Sequence, residues 1–215
     1  MSINRNTINT RTASLVGMLG AISAVLMMID FSLPLFPSFM KFDLGELPAL
    51  FGGFFLGPMA GCLIIVIKML LKVLIKGTST AFVGDFANFA VGCAFILPAA
   101  IIYHRHKTRK NAIIGMIVGT LVMTVVGSAF NAYYLLPKFA ALFGMPLEAI
   151  VGMGTAVNSS IQSVGTLVMY AVVPFNLIKG VVDSVLTYLL YKRVEPILFR
   201  ESRRESQSAE KKSNA

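Results

Sequence analysis

ELPALFGGFFLGPMAGCLIIVIKMLLKVLIK, residues 46–76, is thirty-one residues long and carries only Glu46, Lys68, Lys72 and Lys76 as charged side chains. About 20 apolar residues cross a bilayer as a helix, so this stretch is too long for one crossing. Gly57-Pro58 interrupts it, and proline cannot continue a helix interior without losing a hydrogen bond. The stretch therefore divides there into two consecutive helices. Uncharged runs lie on both sides, from Thr12 to Ile29, Phe86 to Tyr103, Asn111 to Pro137 and Ala149 to Ile178. They are continuous rather than alternating, which excludes a β-barrel pattern.

These runs predict an all-α integral membrane protein, a bundle of six transmembrane helices in residues 13–193. The first span covers 13–31 and is followed by a loop with Pro34 and Pro37 to about residue 43. The second and third share residues 46–76. The fourth, fifth and sixth cover 82–103, 111–136 and 167–193. A more polar loop with Gly144, Pro146, Gly152, Gly154, Asn158, Ser159 and Ser160 joins the last two, and is expected to be partly helical and to fold over the bundle. Residues 1–12 read as a cytoplasmic segment and 194–215 as a basic, disordered cytoplasmic tail. The first span is too long for a signal peptide, and its small residues lie inside it rather than after it, so it reads as retained.

Composition agrees. The chain of 215 residues is 56% hydrophobic and 13% charged, with a mean hydropathy of +0.76. A soluble domain carries roughly twice that charge. The net charge of +9 does not point to nucleic acid, because the basic residues flank the apolar spans. Thirteen Lys and Arg fall on the face of the two termini and the 104–110 loop, against Lys41, Lys76 and Lys138 on the other. That bias predicts both termini of a multi-pass membrane protein in the cytoplasm. Cys62 and Cys93 lack a Cys-x-x-Cys spacing and read as inert helix residues. His104 and His106 share a basic loop with no carboxylate or thiol, so no metal site is expected.

A charged side chain at mid-bilayer costs roughly 2.5–3.5 kcal/mol on insertion scales. The polar residues therefore need a reason, and they gather in the outer half: Asp43 and Glu46 before and at the start of the second span, Asp85 and Asn88 on one face of the fourth, Asn131 and Tyr134 on one face of the fifth, and Asn176, Lys179 and Asp183 down the sixth. A pocket open to the outside has this distribution; a continuous pore does not. Each residue also has a structural reading. Lys72 and Lys76 can snorkel to headgroups, Asp43 and Glu46 can cap a helix, Lys179 and Asp183 can pair with each other, and the two asparagines can join helices. Ala13, Gly17 and Ala21, spaced by four, with Gly20 and Ala24 beside them, form a small-residue stripe where another helix can approach. No phosphate-binding loop and no nucleophile–base set occurs, so neither an ATPase nor an enzyme is expected.

Five short segments in order, Lys41-Phe-Asp-Leu-Gly-Glu-Leu-Pro48, Leu56-Gly-Pro-Met-Ala-Gly61 with Ile67-Lys68, Gly84-Asp-Phe-Ala-Asn-Phe89, Asn131-Ala-Tyr-Tyr-Leu-Leu-Pro137 and Pro174-Phe-Asn-Leu-Ile-Lys-Gly180, carry a family likeness. The chain resembles the riboflavin-specific S components (RibU family) of energy-coupling factor (ECF) vitamin transporters. The resemblance implies a subunit that captures riboflavin outside the cell. It implies assembly with a transmembrane scaffold (T) protein and two cytoplasmic ATPases, the small-residue stripe meeting the scaffold through Ala13, Gly17, Ala21 and Ala24. It implies no cofactor beyond riboflavin as the transported ligand. Asn131, Asn176 and Lys179 are implied flavin contacts, and Asp43, Leu44, Glu46 and Leu47 the wall of the first loop. Asp85, Asn88 and Tyr134 complete the expected site. Flavin mononucleotide or another vitamin as ligand, and a stand-alone secondary carrier, remain the alternatives; a carrier would usually show paired repeats with broken helices.

Overall fold

The computed structural model describes residues 10–191. The 194–215 tail and the first nine residues lie outside them. Seven helices follow in order: α1 Thr10–Met28, α2 Glu46–Leu56, α3 Pro58–Lys76, α4 Val83–Arg105, α5 Arg109–Phe143, α6 Leu147–Thr155 and α7 Val164–Tyr191. α1, α3, α4, α5 and α7 are long and apolar enough to cross a membrane. Their outward sides carry Met18, Leu74, Ile117, Val125 and Leu189 exposed, as a lipid-facing surface requires.

α2 differs from the predicted full span. Its 11 residues rise about 17 Å, roughly half the hydrocarbon thickness. The chain between α1 and α2 fills the remaining depth. It forms a two-stranded hairpin, β1 Phe31–Ser32 against β2 Lys41–Phe42, and then descends into the bundle. Ser23 of α1 donates to the carbonyl of Gly45 and holds that descent. The predicted break between α2 and α3 is present. Gly57 adopts φ 114°, ψ 161° and Pro58 opens α3. That backbone region is essentially reserved for glycine, and a side chain there costs of order 1–3 kcal/mol. Gly57→Ala is therefore expected to lower the midpoint of a thermal melt in detergent, with ligand affinity unchanged.

Two apolar cores divide the molecule, an inner one toward the described chain ends and an outer one toward the first loop. The inner one gathers Leu50, Phe54, Ile64, Ile65, Phe95, Ile96 and Tyr103 from α2, α3 and α4. The outer one gathers Phe36, Met40 and Phe42 of the first loop with Leu136, Ile150, Ile161, Leu167 and Phe175. The segment between the fifth and sixth predicted spans thus packs over the outer end, and α6, the last turns of α5 and the start of α7 are its helical parts. α5 and α7 each contain one π-helical turn, Asn131–Leu135 and Val168–Val172.

A candidate ligand site between the two cores

Lys68, Lys72 and Lys76 lie one turn apart on α3, and each meets a carboxylate from a different element. Lys76 Nζ is 2.9 Å from Asp30 Oδ1 at the outer surface. Lys72 Nζ is 2.6 Å from Asp85 Oδ1 on α4. Lys68, fully buried, is 2.8 Å from Glu46 Oε1 at the head of α2. Lys72 and Lys76, read from the sequence as able to snorkel to headgroups, are both held by carboxylates. The same ladder explains how the first loop stays inside the bundle, since Glu46 gains its cation only at that depth. Asp30 lies outside the spans. Partial burial raises its carboxyl pKa, but Lys76 and Lys41 outweigh that and hold it below the usual range.

Lys179 of α7 joins this network from the opposite side. Its Nζ is 2.8 Å from Asp43 Oδ2 and 3.0 Å from Glu46 Oε2. Asp43 also accepts from the amide of Gly45 at 2.8 Å, so the acid fixes the loop as well as the lysine. Pairing of Lys179 with Asp183 is not found. Helical side chains lean toward their N-terminus, and α7 enters from the outer side. Lys179 therefore reaches up to the loop, while both Asp183 oxygens are buried without a hydrogen bond.

Beside these charges is a cavity of about 540 Å³, within the range of small-molecule sites. Asp43, Glu46, Asp85, Asn88, Asn131, Asn176 and Lys179 line it. Leu44, Leu47 and Tyr134 do not. Leu44 packs on the outer core and Leu47 belongs to the inner one, while Tyr134 meets Phe86 edge-on and Phe130 at a tilt. The two asparagines are oriented by their own helices. Asn131 Nδ2 donates to Gly127 O at 2.8 Å, and Asn176 Nδ2 to Val172 O at 3.0 Å. Interhelical bonding, the structural reading of these two, is therefore not what holds them. Each amide keeps an oxygen and a second N–H uncommitted. Gly127 makes room for this, since a Cβ there would be 3.0 Å from Asn176 Nδ2. Asn131 opens the π turn of α5, and Val172, the acceptor for Asn176, closes that of α7. Such turns are frequent at functional sites. The apolar walls, Phe39, Met40, Phe139, Phe143, Met153 and Phe175, were not singled out from the sequence. They come from the loop, the outer end of α5, α6 and α7, segments with no strong polar signal.

The small-residue stripe of α1 divides. Ala13 and Ala21 are exposed, and a Cβ on Gly17 would meet nothing within 4 Å. Ala24 is 1% exposed and faces inward, one turn beyond Gly20, where a Cβ would lie 2.5 Å from Ile67. Ala24 is thus part of the bundle's own packing, not of the outward face.

The family model for the substrate-specific component of ECF transporters matches residues 12–191. The chain belongs to that family. It is 35% identical over 185 residues to the riboflavin transporter RibU of Staphylococcus aureus, covering 86% of this chain and 90% of the relative. It is 32% identical over 182 residues to the riboflavin transporter FmnP of Bacillus subtilis, covering 84% and 90%. A solved structure of the S component of a bacterial ECF transporter superposes with a TM-score of 0.68 at 34% identity, covering 88% of this chain and 98% of that one. The protein is a multi-pass S component of the bacterial plasma membrane.

Proposed function

We propose that this S component binds riboflavin from the outer face and delivers it for ATP-driven uptake with a scaffold protein and two ATPases. In this reading both termini are cytoplasmic, and α2 with the loop above it counts as the sixth crossing. The observation that carries the reading is the cavity between the two cores, where the uncommitted amides of Asn131 and Asn176 and the ammonium of Lys179 face aromatic and methionine walls. A flavin ring is flat and largely apolar, with carbonyl and imide edges. Amides can supply both donors and acceptors to those edges. Alanine at Asn131 or Asn176 should weaken riboflavin binding about five- to 150-fold, the value of one buried hydrogen bond. Quenching of riboflavin fluorescence measures it, and unchanged affinity in both variants would remove them from the site.

Flavin mononucleotide is the second reading, because Lys72 and Lys76 also border the cavity. Both already hold carboxylates, and a phosphate would have to displace Asp85 or Asp30. Riboflavin should therefore bind at least as well as its mononucleotide in a competition titration; mononucleotide binding more than tenfold tighter reverses the assignment.

For assembly, the outward face of Ala13, Gly17 and Ala21 suits a closely packed helix of the scaffold. Gly17→Leu and Ala21→Leu should leave flavin binding intact and lower uptake in cells that carry the scaffold and ATPases. Ala24→Leu, at an inward position, should instead reduce the yield of folded protein. Loss of binding in the first two variants would assign the whole stripe to internal packing.

A further inference from the structure

α5 and α7 touch where a Cβ on Gly180 would lie 2.6 Å from Thr120. On the membrane side of that contact, their side chains leave an apolar groove of about 460 Å³. Ile117, Leu121, Val181, Val185 and Leu189 border it and are half or more exposed. The groove runs along α7 from Leu177 to Leu189, about 18 Å at 1.5 Å per residue. One leaflet of hydrocarbon is about 15 Å deep. The groove's lining ends at Ile113 and Tyr188, one turn from Arg109, which lines a small adjoining cavity that shares Met116 and Tyr188 with the groove. Arg109 and Lys110 are exposed there and sit within a run of four basic residues, Arg105, Lys107, Arg109 and Lys110, that contains no acid. Among the described residues no carboxylate pairs with Arg109 or Lys110.

We propose that this groove seats an acyl chain of an anionic phospholipid from the leaflet at the chain termini, with its headgroup held by Arg109 and Lys110. The length of the groove matches one leaflet, its lining matches a hydrocarbon chain, and the two unpaired cations lie at headgroup level. Every other strong cluster of charge in the described residues is internally paired or belongs to the ligand cavity.

The test uses the full-length protein in phosphatidylcholine vesicles doped with phosphatidylglycerol carrying a photoreactive diazirine in mid-chain. The phosphatidylcholine of the same chain is the control. The glycerol lipid should label peptides spanning 113–121 and 177–189 more strongly than the choline lipid, by about fivefold for each basic residue engaged. Arg109→Gln with Lys110→Gln should bring labelling down to the choline level, and Val185→Trp should reduce it by filling the groove. None of these changes should alter riboflavin affinity, which doubles as the check that the variants are folded. Equal labelling by the two lipids, or labelling indifferent to the double substitution, overturns the proposal. A rise in labelling on removal of residues 194–215 would assign the groove to the chain's own tail.

Discussion

Replacing Lys179 by alanine should lower riboflavin affinity by about 100-fold. The lysine donates to Asp43 and Glu46 and borders the cavity. A hydrogen bond to a charged group contributes about 1.5–3 kcal/mol, or roughly 10- to 150-fold in affinity. The variant also leaves Asp43 without its cation, so the first loop loses one of the bonds that hold its lower end, beside Ser23–Gly45 and Lys68–Glu46. The larger part of the effect should therefore appear in the dissociation rate. Stopped-flow mixing reads association, and a chase of bound riboflavin with a non-fluorescent competitor reads dissociation. If the slow step is unchanged and only association falls, Lys179 does not hold the loop closed.

The second large effect concerns Lys68, which is fully buried and does not border the cavity. Lys68→Met leaves Glu46 with only Lys179 and places an uncompensated charge inside the membrane. Breaking a buried pair by removing one partner costs about 3–5 kcal/mol. The variant should yield little folded protein or melt far below the parent. Glu46→Gln combined with Lys68→Met removes both charges together. That double variant should recover most of the stability, because two neutral side chains no longer need each other. A double variant as unstable as the single one would mean that Lys68 acts through shape and not charge.

Much of this architecture was legible in the order of residues. Continuous apolar runs located the long helices, Gly57-Pro58 located the α2–α3 break, and the clustering of polar residues singled out Asp43, Glu46, Asp85, Asn88, Asn131, Asn176 and Lys179, which line one cavity. The legible part depends on the bilayer, which makes length and charge decisive. What remained hidden depends on side-chain direction and on packing between distant segments. Lys179 and Asp183 are four apart and read equally well as a pair; only the lean of side chains along α7 sends the lysine to Asp43. The three lysines of α3 gave no sign of their acids, which lie 13 to 46 residues away in sequence. α2 read as a full span because a buried inner-half helix and a crossing helix are equally apolar. The π turns left no pattern at all. Nor did the aromatic walls of the cavity, since Phe139 and Phe143 fit a lipid-facing helix as readily as a cavity wall.

The most direct test of the ligand site is a titration of riboflavin with the purified protein, without scaffold, ATPases or nucleotide, read by fluorescence quenching. The purified protein should be yellow and show saturable one-to-one quenching, with a dissociation constant below about 1 µM, a binding free energy of about −8 kcal/mol or stronger. Quenching that rises linearly without saturation, and is the same for Asn131→Ala and Asn176→Ala as for the parent, would contradict it.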